Sequence, residues 1–217
     1  MIPGLTLAVD GSTYAGTVAV IRDGVVIAEA QLPISATPGK AGRDEAFLPM
    51  VASALREGGV QPSELERVAC GAGPGSFTSL RVAASIAKGI AVGGGCPMFA
   101  ASSLMLMAAG MKDGRYLATL PAMRGEVHAA LLEVNENRVT RIGPDLILSE
   151  TQIDETAARA GAVHVSGIPH AKGFALILDD VIEAGPCDVD SWEPSYGRLA
   201  EAQVKWEAAH GRPLSAR

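Results

Sequence analysis

The chain has 217 residues, of which 48% are hydrophobic and only 4% aromatic, so aliphatic side chains must build its core. Its formal net charge of −6 argues against a free-standing nucleic-acid binder, because neutralising phosphates requires a clustered excess of Lys and Arg. The three cysteines are widely spaced and form no CxxC pair, so neither a disulfide framework nor a zinc site is indicated.

The N-terminal segment has no basic start, and no apolar run reaches the length of a membrane span. We therefore expect a cytoplasmic protein that does not contact a membrane. Because the chain is acidic, we expect any contact with RNA to be shared with a partner protein.

The first seventy residues alternate between predicted strands, turns and a helix. Alternating apolar residues predict three strands, at 5–9, 15–22 and 25–32. Asp23 and Gly24 form the predicted hairpin turn between the second and third strands. Residues 34–42 are predicted to be an exposed loop, and 44–57 a helix, because its apolar positions recur at helical spacing. A further strand at 68–71 leads into a glycine-rich stretch.

Residues 71–95 read GAGPGSFTSLRVAASIAKGIAVGGG, a turn followed by a long helix. Three alternating glycines allow the chain to turn sharply, at Gly71, Gly73 and Gly75. Thr78 is predicted to N-cap the helix. Helix N-termini attract anions, so the stretch is either a phosphate site or only a tight turn. The dinucleotide fingerprint GxGxxG is incomplete because Ser76 occupies its third glycine position, and the phosphate-loop ending GK[ST] is absent.

The helix after this turn has three distinct faces at about 100° per residue. The first is a narrow polar stripe of Arg81, Ser85 and Lys88. The second is branched and apolar and contains Val82, Ile86 and Ile90. The third is small and apolar and contains Leu80, Ala84, Ala87 and Ala91. Two apolar faces predict burial on two sides, either between two layers of one domain or at a subunit interface.

The second half of the chain repeats the order of the first. A strand at 97–101 and a helix capped by Ser102 close the first half. New strands are then predicted at 116–120, 127–134 and 139–148, followed by a helix at 150–159 and a strand at 162–166. Three strands, a helix and a strand thus occur twice, which indicates a duplicated α/β fold with mixed sheets. In a predicted final helix, Leu199, Ala202 and Trp206 share one face.

The stretch GPGSFTSLRVAASIAKGIA resembles the motif of the TsaB family of bacterial tRNA threonylcarbamoyladenosine biosynthesis proteins. In that family a GPGSFTGLR-type turn opens the helix used for dimerisation, and Ser79 stands here where the family usually has Gly. A PxYxR element before the final helix also matches the family, at Pro194, Tyr196 and Arg198. The resemblance implies an α/β, duplicated actin-like ATPase (ribonuclease H-like) fold of two lobes, each with a mixed sheet flanked by helices. We expect an N-terminal lobe at 1–105 and a smaller lobe with the terminal helix at 106–217.

The resemblance also implies where a nucleotide would bind, between two hairpins of which this chain keeps only part. The stretch DGST at 10–13 is similar to the first hairpin, although an ordinary turn is the alternative. The candidate phosphate contacts are Asp10, Ser12, Gly73, Gly75, Ser76 and Thr78. In the second hairpin, PAMRGE stands where the family reads DARRGE, so Pro121 replaces the acid and Met123 a basic residue. Proline supplies neither an oxygen ligand nor an amide, so we expect no two-sided grip on a nucleotide.

Other catalytic arrangements find little support in the sequence. Ser76 lacks the GxSxG frame of a hydrolase, and the six-residue spacing of His164 and His170 fits no short metal-binding pair. We expect His128 to be a half-buried strand residue. Three acidic residues are expected on a solvated helix face, at Asp179, Asp180 and Glu183. We therefore predict no catalytic and no metal-binding residues.

We expect a non-catalytic scaffold or activator. The resemblance implies that it binds a TsaD-type catalytic paralogue and, with a TsaE-type ATPase, supports threonylcarbamoyl transfer to adenosine 37 of tRNA, which it touches only through the complex. The predicted interface consists of Leu80, Arg81, Ala84, Ala87, Lys88 and Ala91. The free chain is expected to be a homodimer that requires no cofactor, and ATP or ADP at a subunit interface stays open. The alternative is an enzyme, either a small actin-fold ATPase or kinase or an M22-like peptidase.

Overall fold

The computed structural model describes residues 2–33, 46–122 and 124–197, which form two five-stranded sheets. The first sheet has the strand order β3-β2-β1-β4-β5. Its strands are β1 (Leu5–Asp10), β2 (Thr17–Arg22), β3 (Val25–Gln31), β4 (Arg67–Gly71) and β5 (Met98–Ala101). β1 pairs antiparallel with β2 and parallel with β4, so this is a mixed sheet, as the sequence predicts.

The hairpin between β2 and β3 turns at Asp23 and Gly24, as predicted. Both residues have positive φ, 51° and 75°, which is the conformation of the tight turns that match strand twist. β2 begins at Thr17 and not at the predicted Ala15, because Gly16 has a φ of 30° and belongs to the turn that precedes the strand.

The second sheet has the order β10-β6-β7-β8, with β9 also paired to β7. Its strands are β6 (Gly114–Pro121), β7 (Glu126–Asn135), β8 (Arg138–Arg141), β9 (Leu146–Ser149) and β10 (Val163–Ser166). The single strand predicted at 139–148 is wrong, because Gly143, with a φ of 79°, and Pro144 interrupt it. Both pieces still pair antiparallel with β7, so the interruption bends one edge of the sheet without ending it.

Helices cover both faces of each sheet. They are α1 (Phe47–Glu57), α2 (Phe77–Gly94), α3 (Ser103–Ala108), α4 (Ile153–Ala160) and α5 (Phe174–Glu183). Helices α1 and α2 pack on the outer face of the first sheet, and α4 packs against β6 and β10 of the second. Helices α3 and α5 lie between the two sheets, in a core that joins Ala8 and Ile21 to Leu132 and Val139. Helix α5, for which no bounds were predicted from the sequence, carries Asp179, Asp180 and Glu183, the three acidic residues expected on a helix.

The predicted fold class is confirmed, since both sheets are mixed and flanked by helices. The lobe limits at 1–105 and 106–217 stay predictions. Several predicted features lie outside the described residues: the loop at 34–42, Met123, Arg198 and the final helix. Among the described residues, none of the helices combines the length and the apolarity that a membrane span requires.

Candidate functional site

The glycine turn after β4 lies directly against the loop that follows β1. The Ser76 amide donates a hydrogen bond to the Ser12 carbonyl over 2.8 Å. Gly75 approaches the same carbonyl so closely that any side chain there would overlap it. Gly73 has a φ of 83°, which confirms the predicted need for glycine in the turn. Gly71 is the last residue of β4, and its missing side chain leaves room for the Asp10 carboxylate.

Helix α2 begins at Phe77, and its N-cap residue is Ser76, so the prediction that Thr78 caps the helix is wrong. Ser76 has the extended backbone that an N-cap requires, whereas Thr78 already lies in the first helical turn and is exposed. The Ser76 hydroxyl bonds the Ser79 hydroxyl over 3.3 Å and makes no capping bond to a helix amide. The helix start is therefore fixed through backbone contacts with the neighbouring loop.

Asp10 ends β1 with its side chain buried, only 1% exposed. One carboxylate oxygen accepts hydrogen bonds from the Ser12 amide and hydroxyl, over 2.9 and 2.5 Å. The other accepts a 2.5 Å bond from the Ser103 hydroxyl. Burial raises the pKa of Asp10, and the bonds from Ser103 and Ser12 offset part of this effect because they favour the charged form.

The sequence analysis missed Ser103, although it selected its neighbour Ser102 as a helix cap. Ser103 is 93 residues from Asp10 in the chain and is fully buried beside it. A local pattern cannot identify such a contact, since only the pairing of β4 with β1 and β5 brings the start of α3 next to the end of β1.

The metal-bound nucleotide implied by the resemblance does not fit these residues. Both Asp10 oxygens accept bonds from within the chain, and Ser12 is held by Asp10 and Ser76. On the second sheet, Pro121 ends β6 and has no side-chain oxygen. The chain then turns through Arg124 and Gly125, with φ of 64° and 70°. Neither Asp10 nor Pro121 is therefore placed to hold a metal-bound phosphate.

The small apolar face of α2 packs into the core of the chain itself. Its residues, each at most 5% exposed, are Leu80, Ala84, Ala87 and Ala91. Ala87 and Ala91 belong to the cluster on the outer face of the first sheet. Gly11 also packs against this side of α2, where a side chain would overlap the Ser79 carbonyl. A second subunit that contacts α2 in this conformation therefore meets a different face.

The branched apolar face of α2 lies beside the alanine face. Val82, Ile86 and Ile90 pack along the edge of the same core cluster and are half-buried, not fully buried as two core faces would require. Gly89 and Gly93 lie exposed on the same side, and a side chain added at either would touch nothing in the chain. This outward face, made of Val82, Ile86, Gly89, Ile90 and Gly93, is apolar and low enough for a second helix to approach closely.

The C-terminal segment brings Pro194 and Tyr196 onto the start of α2. The Ser195 amide donates to the Ala72 carbonyl over 2.7 Å, and Pro194 is buried. The Arg81 Nε donates to the Tyr196 hydroxyl over 3.0 Å. The Arg81 guanidinium also lies 4.1 Å from the centre of the exposed Phe77 ring. Of the polar interface residues predicted, Arg81 is exposed here and Lys88 is half-buried, with its Nζ 5.9 Å from the Trp192 ring.

Among the remaining candidate residues, His128 lies next to this site. It was expected to be half-buried but is buried in β7, with its ring against Gly197, which also packs on Pro74 of the glycine turn. The other candidates lie apart, and the His164 ring bonds the Thr119 hydroxyl over 2.8 Å. Asp180 and Glu183 lie at the surface and pair with Arg138 over 2.7 and 2.9 Å. Within residues 2–33, 46–122 and 124–197, no three metal-binding side chains converge on one point.

Comparisons with known proteins give consistent matches. Residues 37–178 match the family model TsaD, described as tRNA N6-adenosine threonylcarbamoyltransferase. The tRNA threonylcarbamoyladenosine biosynthesis protein TsaB of Escherichia coli is 39% identical over 138 residues, which cover 61% of this chain and 57% of that protein. The chain thus spans little more than half of that relative. The TsaB of Bacillus subtilis is 28% identical over 228 residues, which cover 92% of this chain and 96% of that protein.

Two solved structures share the fold. YeaZ from Pseudomonas aeruginosa superposes with a TM-score of 0.72 at 22% identity, covering 89% of this chain and 99% of that one. A protein described as similar to peptidase YeaZ from Pseudomonas aeruginosa superposes with a TM-score of 0.74 at 23% identity, covering 90% of this chain and 100% of that one.

Proposed function

We propose that this chain is a non-catalytic subunit in tRNA N6-threonylcarbamoyladenosine modification. The chain belongs to the family that the TsaD model describes, among its TsaB (YeaZ-type) members, and the proposal rests on this membership. In this role it binds a TsaD-type catalytic paralogue and activates it. The relatives' names support the pathway, and the geometry of α2 and of Asp10 supports the role within it.

The outward face of α2 is the observation that carries the proposal. It combines three half-buried branched residues with two exposed glycines along one side of a helix of 18 residues. The buried alanines of the neighbouring face hold this helix on the first sheet. An apolar stripe on a firmly held helix is suited to packing against a helix of a second protein, because it loses little conformational freedom on binding.

The buried state of Asp10 supports a non-catalytic role. A buried carboxylate that accepts three hydrogen bonds from its own chain is poorly placed to hold a metal-bound nucleotide. The competing class of function, an actin-fold ATPase or kinase, needs such a group at this position. An M22-like peptidase is the other alternative, and both predict catalytic turnover by the isolated chain.

The remaining partners follow from the same role. A TsaE-type ATPase completes the assembly, and tRNA is contacted only within it, because the chain carries a net charge of −6. The chain requires no cofactor of its own, and any ATP or ADP binds at a subunit interface. In the absence of the paralogue, the outward face of α2 pairs two copies of the chain as a homodimer.

The decisive experiment substitutes Gly89→Glu and measures binding to the TsaD-type paralogue of the same organism by size-exclusion chromatography with light scattering. An added side chain at Gly89 meets nothing in the chain, so we expect the variant to fold and melt at or above the wild-type temperature. A charge in the centre of the outward face should prevent the complex from forming, because it would be buried unpaired.

The matched control is Leu176→Glu, which places the same charge on α5 at an apolar residue that is 54% exposed. We expect this variant to bind the paralogue as the wild type does. If Gly89→Glu also binds normally, α2 does not carry the interface. If the wild-type chain binds no TsaD-type protein, the proposed role is wrong.

A further inference from the structure

The Asp10 carboxylate touches three segments of the chain. It bonds Ser12 in the loop at 10–13 and Ser103 at the start of α3, and it packs against Gly71 at the start of the turn at 71–75. Two sets of hydrogen bonds lead away from it. Both end at the residues that precede α2, the helix that carries the proposed partner-binding face. This convergence gives Asp10 a role that its burial alone does not.

The first set of bonds passes through Ser12. The Ser12 amide and hydroxyl donate to one Asp10 oxygen, over 2.9 and 2.5 Å. The Ser12 carbonyl in turn accepts the amide of Ser76, the N-cap residue of α2, over 2.8 Å. Because the Ser76 side chain makes no capping bond, this backbone contact is what fixes the first residue of the helix on that side.

The second set passes through Ser103. Its hydroxyl donates to the other Asp10 oxygen over 2.5 Å and accepts the Gly73 amide over 3.0 Å. The Ser103 amide donates to the Gly73 carbonyl over 2.8 Å. Ser103 therefore bonds both polar backbone groups of Gly73, in the middle of the turn, and donates its own hydroxyl proton to the Asp10 carboxylate. The Ser102 hydroxyl also donates to the Gly73 carbonyl, over 3.3 Å.

An ionised carboxylate satisfies this arrangement in full. Both of its oxygens accept, since the Ser12 amide and both hydroxyls donate toward Asp10. An asparagine of the same size would present an NH2 group to one of these donors and leave its proton without an acceptor in a buried site. Gly71 keeps the space open, since a side chain there would overlap the carboxylate.

We propose that Asp10 is a positioning residue for the partner-binding helix: its carboxylate fixes the turn at 71–75 and the N-cap of α2, and thereby the orientation of the outward face of α2. The proposal rests on the proposed function for its consequence, which is binding of the TsaD-type paralogue. In an ATPase of this fold, the residue at this position would contact the nucleotide. In this chain, it holds a helix in place.

The test compares Asp10→Asn with Thr17→Val, a matched loss of buried hydrogen bonds at the residue that pairs with Asp10 across β1 and β2. Thr17 is 2% exposed, and its hydroxyl bonds the Pro169 carbonyl and the Ala171 amide, which lie before α5 and not before α2. We expect both variants to melt below the wild type. At a temperature where all three are folded, only Asp10→Asn should bind the paralogue more weakly, by about tenfold, since a buried donor is left unpaired at the helix start.

Hydrogen–deuterium exchange of the isolated proteins provides the second measurement. We expect the amides of residues 73–80 to exchange faster in Asp10→Asn than in the wild type or Thr17→Val, with the rest of the first sheet unchanged. Should Asp10→Asn fail to fold, Ser103→Ala removes the two hydroxyl bonds of the second set, to Asp10 and from the Gly73 amide, and should give the same pattern.

Three results would overturn the proposal. The first is that Asp10→Asn binds the paralogue and exchanges its amides as the wild type does. The second is that Thr17→Val weakens binding of the paralogue as much as Asp10→Asn does, which would mean that the effect comes from lost stability. The third is binding of Mg-ATP to the isolated chain that is lost in Asp10→Asn. If the wild type binds no paralogue, the proposed function fails, and the exchange of residues 73–80 in the free chain still decides the role of Asp10.

Discussion

Arg81 and Tyr196 are 115 residues apart in the chain, and each belongs to a separate motif, yet their side chains bond to each other. The Tyr196 and Phe77 ring centres are 4.6 Å apart, and the Arg81 guanidinium packs over both rings. Arg81 thus ties the N-terminal part of α2 to the C-terminal segment at Tyr196.

His128 is one residue through which the stability of the fold responds to pH. Burial in β7 lowers the pKa of His128 below the unfolded value of 6.5, and the nearby charge of Asp145 offsets part of this effect. The unfolded chain therefore binds a proton more readily than the folded chain does. Below about pH 6.5 the free energy of unfolding should fall, and it should fall less in His128→Phe, as denaturant titrations at several pH values would measure.

Asp145→Asn is the informative companion to that measurement. Removing the negative charge should lower the pKa of folded His128 further, so the loss of stability in acid should extend over a wider pH range. Parallel pH profiles for the wild type and His128→Phe would show instead that His128 is not the titrating group.

At the scale of the elements, the turn at 71–75 determines where α2 begins. Gly75 contacts the Ser12 carbonyl, and this is a contact of backbone with backbone that no rotamer change can relieve. We expect Gly75→Val to lower the free energy of unfolding by about 1–3 kcal/mol through overpacking. Thermal and denaturant melts would measure the loss.

Gly89→Ala is the control for this substitution, because Gly89 lies inside α2 with open space around it. Alanine is the better helix former, so this variant should gain about 0.5–1 kcal/mol. A Gly75→Val protein that melts with the wild type would mean that the loop at 10–13 yields to the added side chain, and that the contact does not fix α2.

At the scale of the whole molecule, the two sheets share one core through α3 and α5. Ala8 and Ala69 of the first sheet face the same cluster as Leu120 and Leu132 of the second. Thr17 adds a polar link, since its hydroxyl bonds the segment that leads into α5. The two sheets are therefore packed as one body, with α1 and α2 on its outer surface.

This architecture leads to a prediction about activity. The purified chain should hydrolyse no ATP above a buffer blank and form no threonylcarbamoyl product on tRNA when given the adenylate, because Asp10 is engaged internally. Adding the TsaD-type and TsaE-type partners should restore product formation, which labelled threonine incorporation into tRNA would measure. ATP hydrolysis by the chain alone that disappears in Asp10→Ala would contradict the non-catalytic role.

The sequence by itself determined the order of the elements and the existence of the turn and of α2. Apolar alternation located the strands of both sheets, and the glycines located the turn, because these patterns depend on the geometry of neighbouring residues. The errors in these predictions were local. Gly143 and Pro144 divide the strand predicted at 139–148, and the N-cap of α2 is Ser76 and not the predicted Thr78.

Only the tertiary structure decided which face of α2 is buried and what Asp10 does. Helical periodicity separates the alanine face from the branched face but does not say which one meets the sheet, since both are apolar. The close approach of Gly11 to α2 favours the alanine face, because larger side chains would keep the helix away from β1. The role of Asp10 likewise depends on its hydrogen bond with Ser103. Ser103 is 93 residues away in the chain, and the packing of α3 brings it next to Asp10.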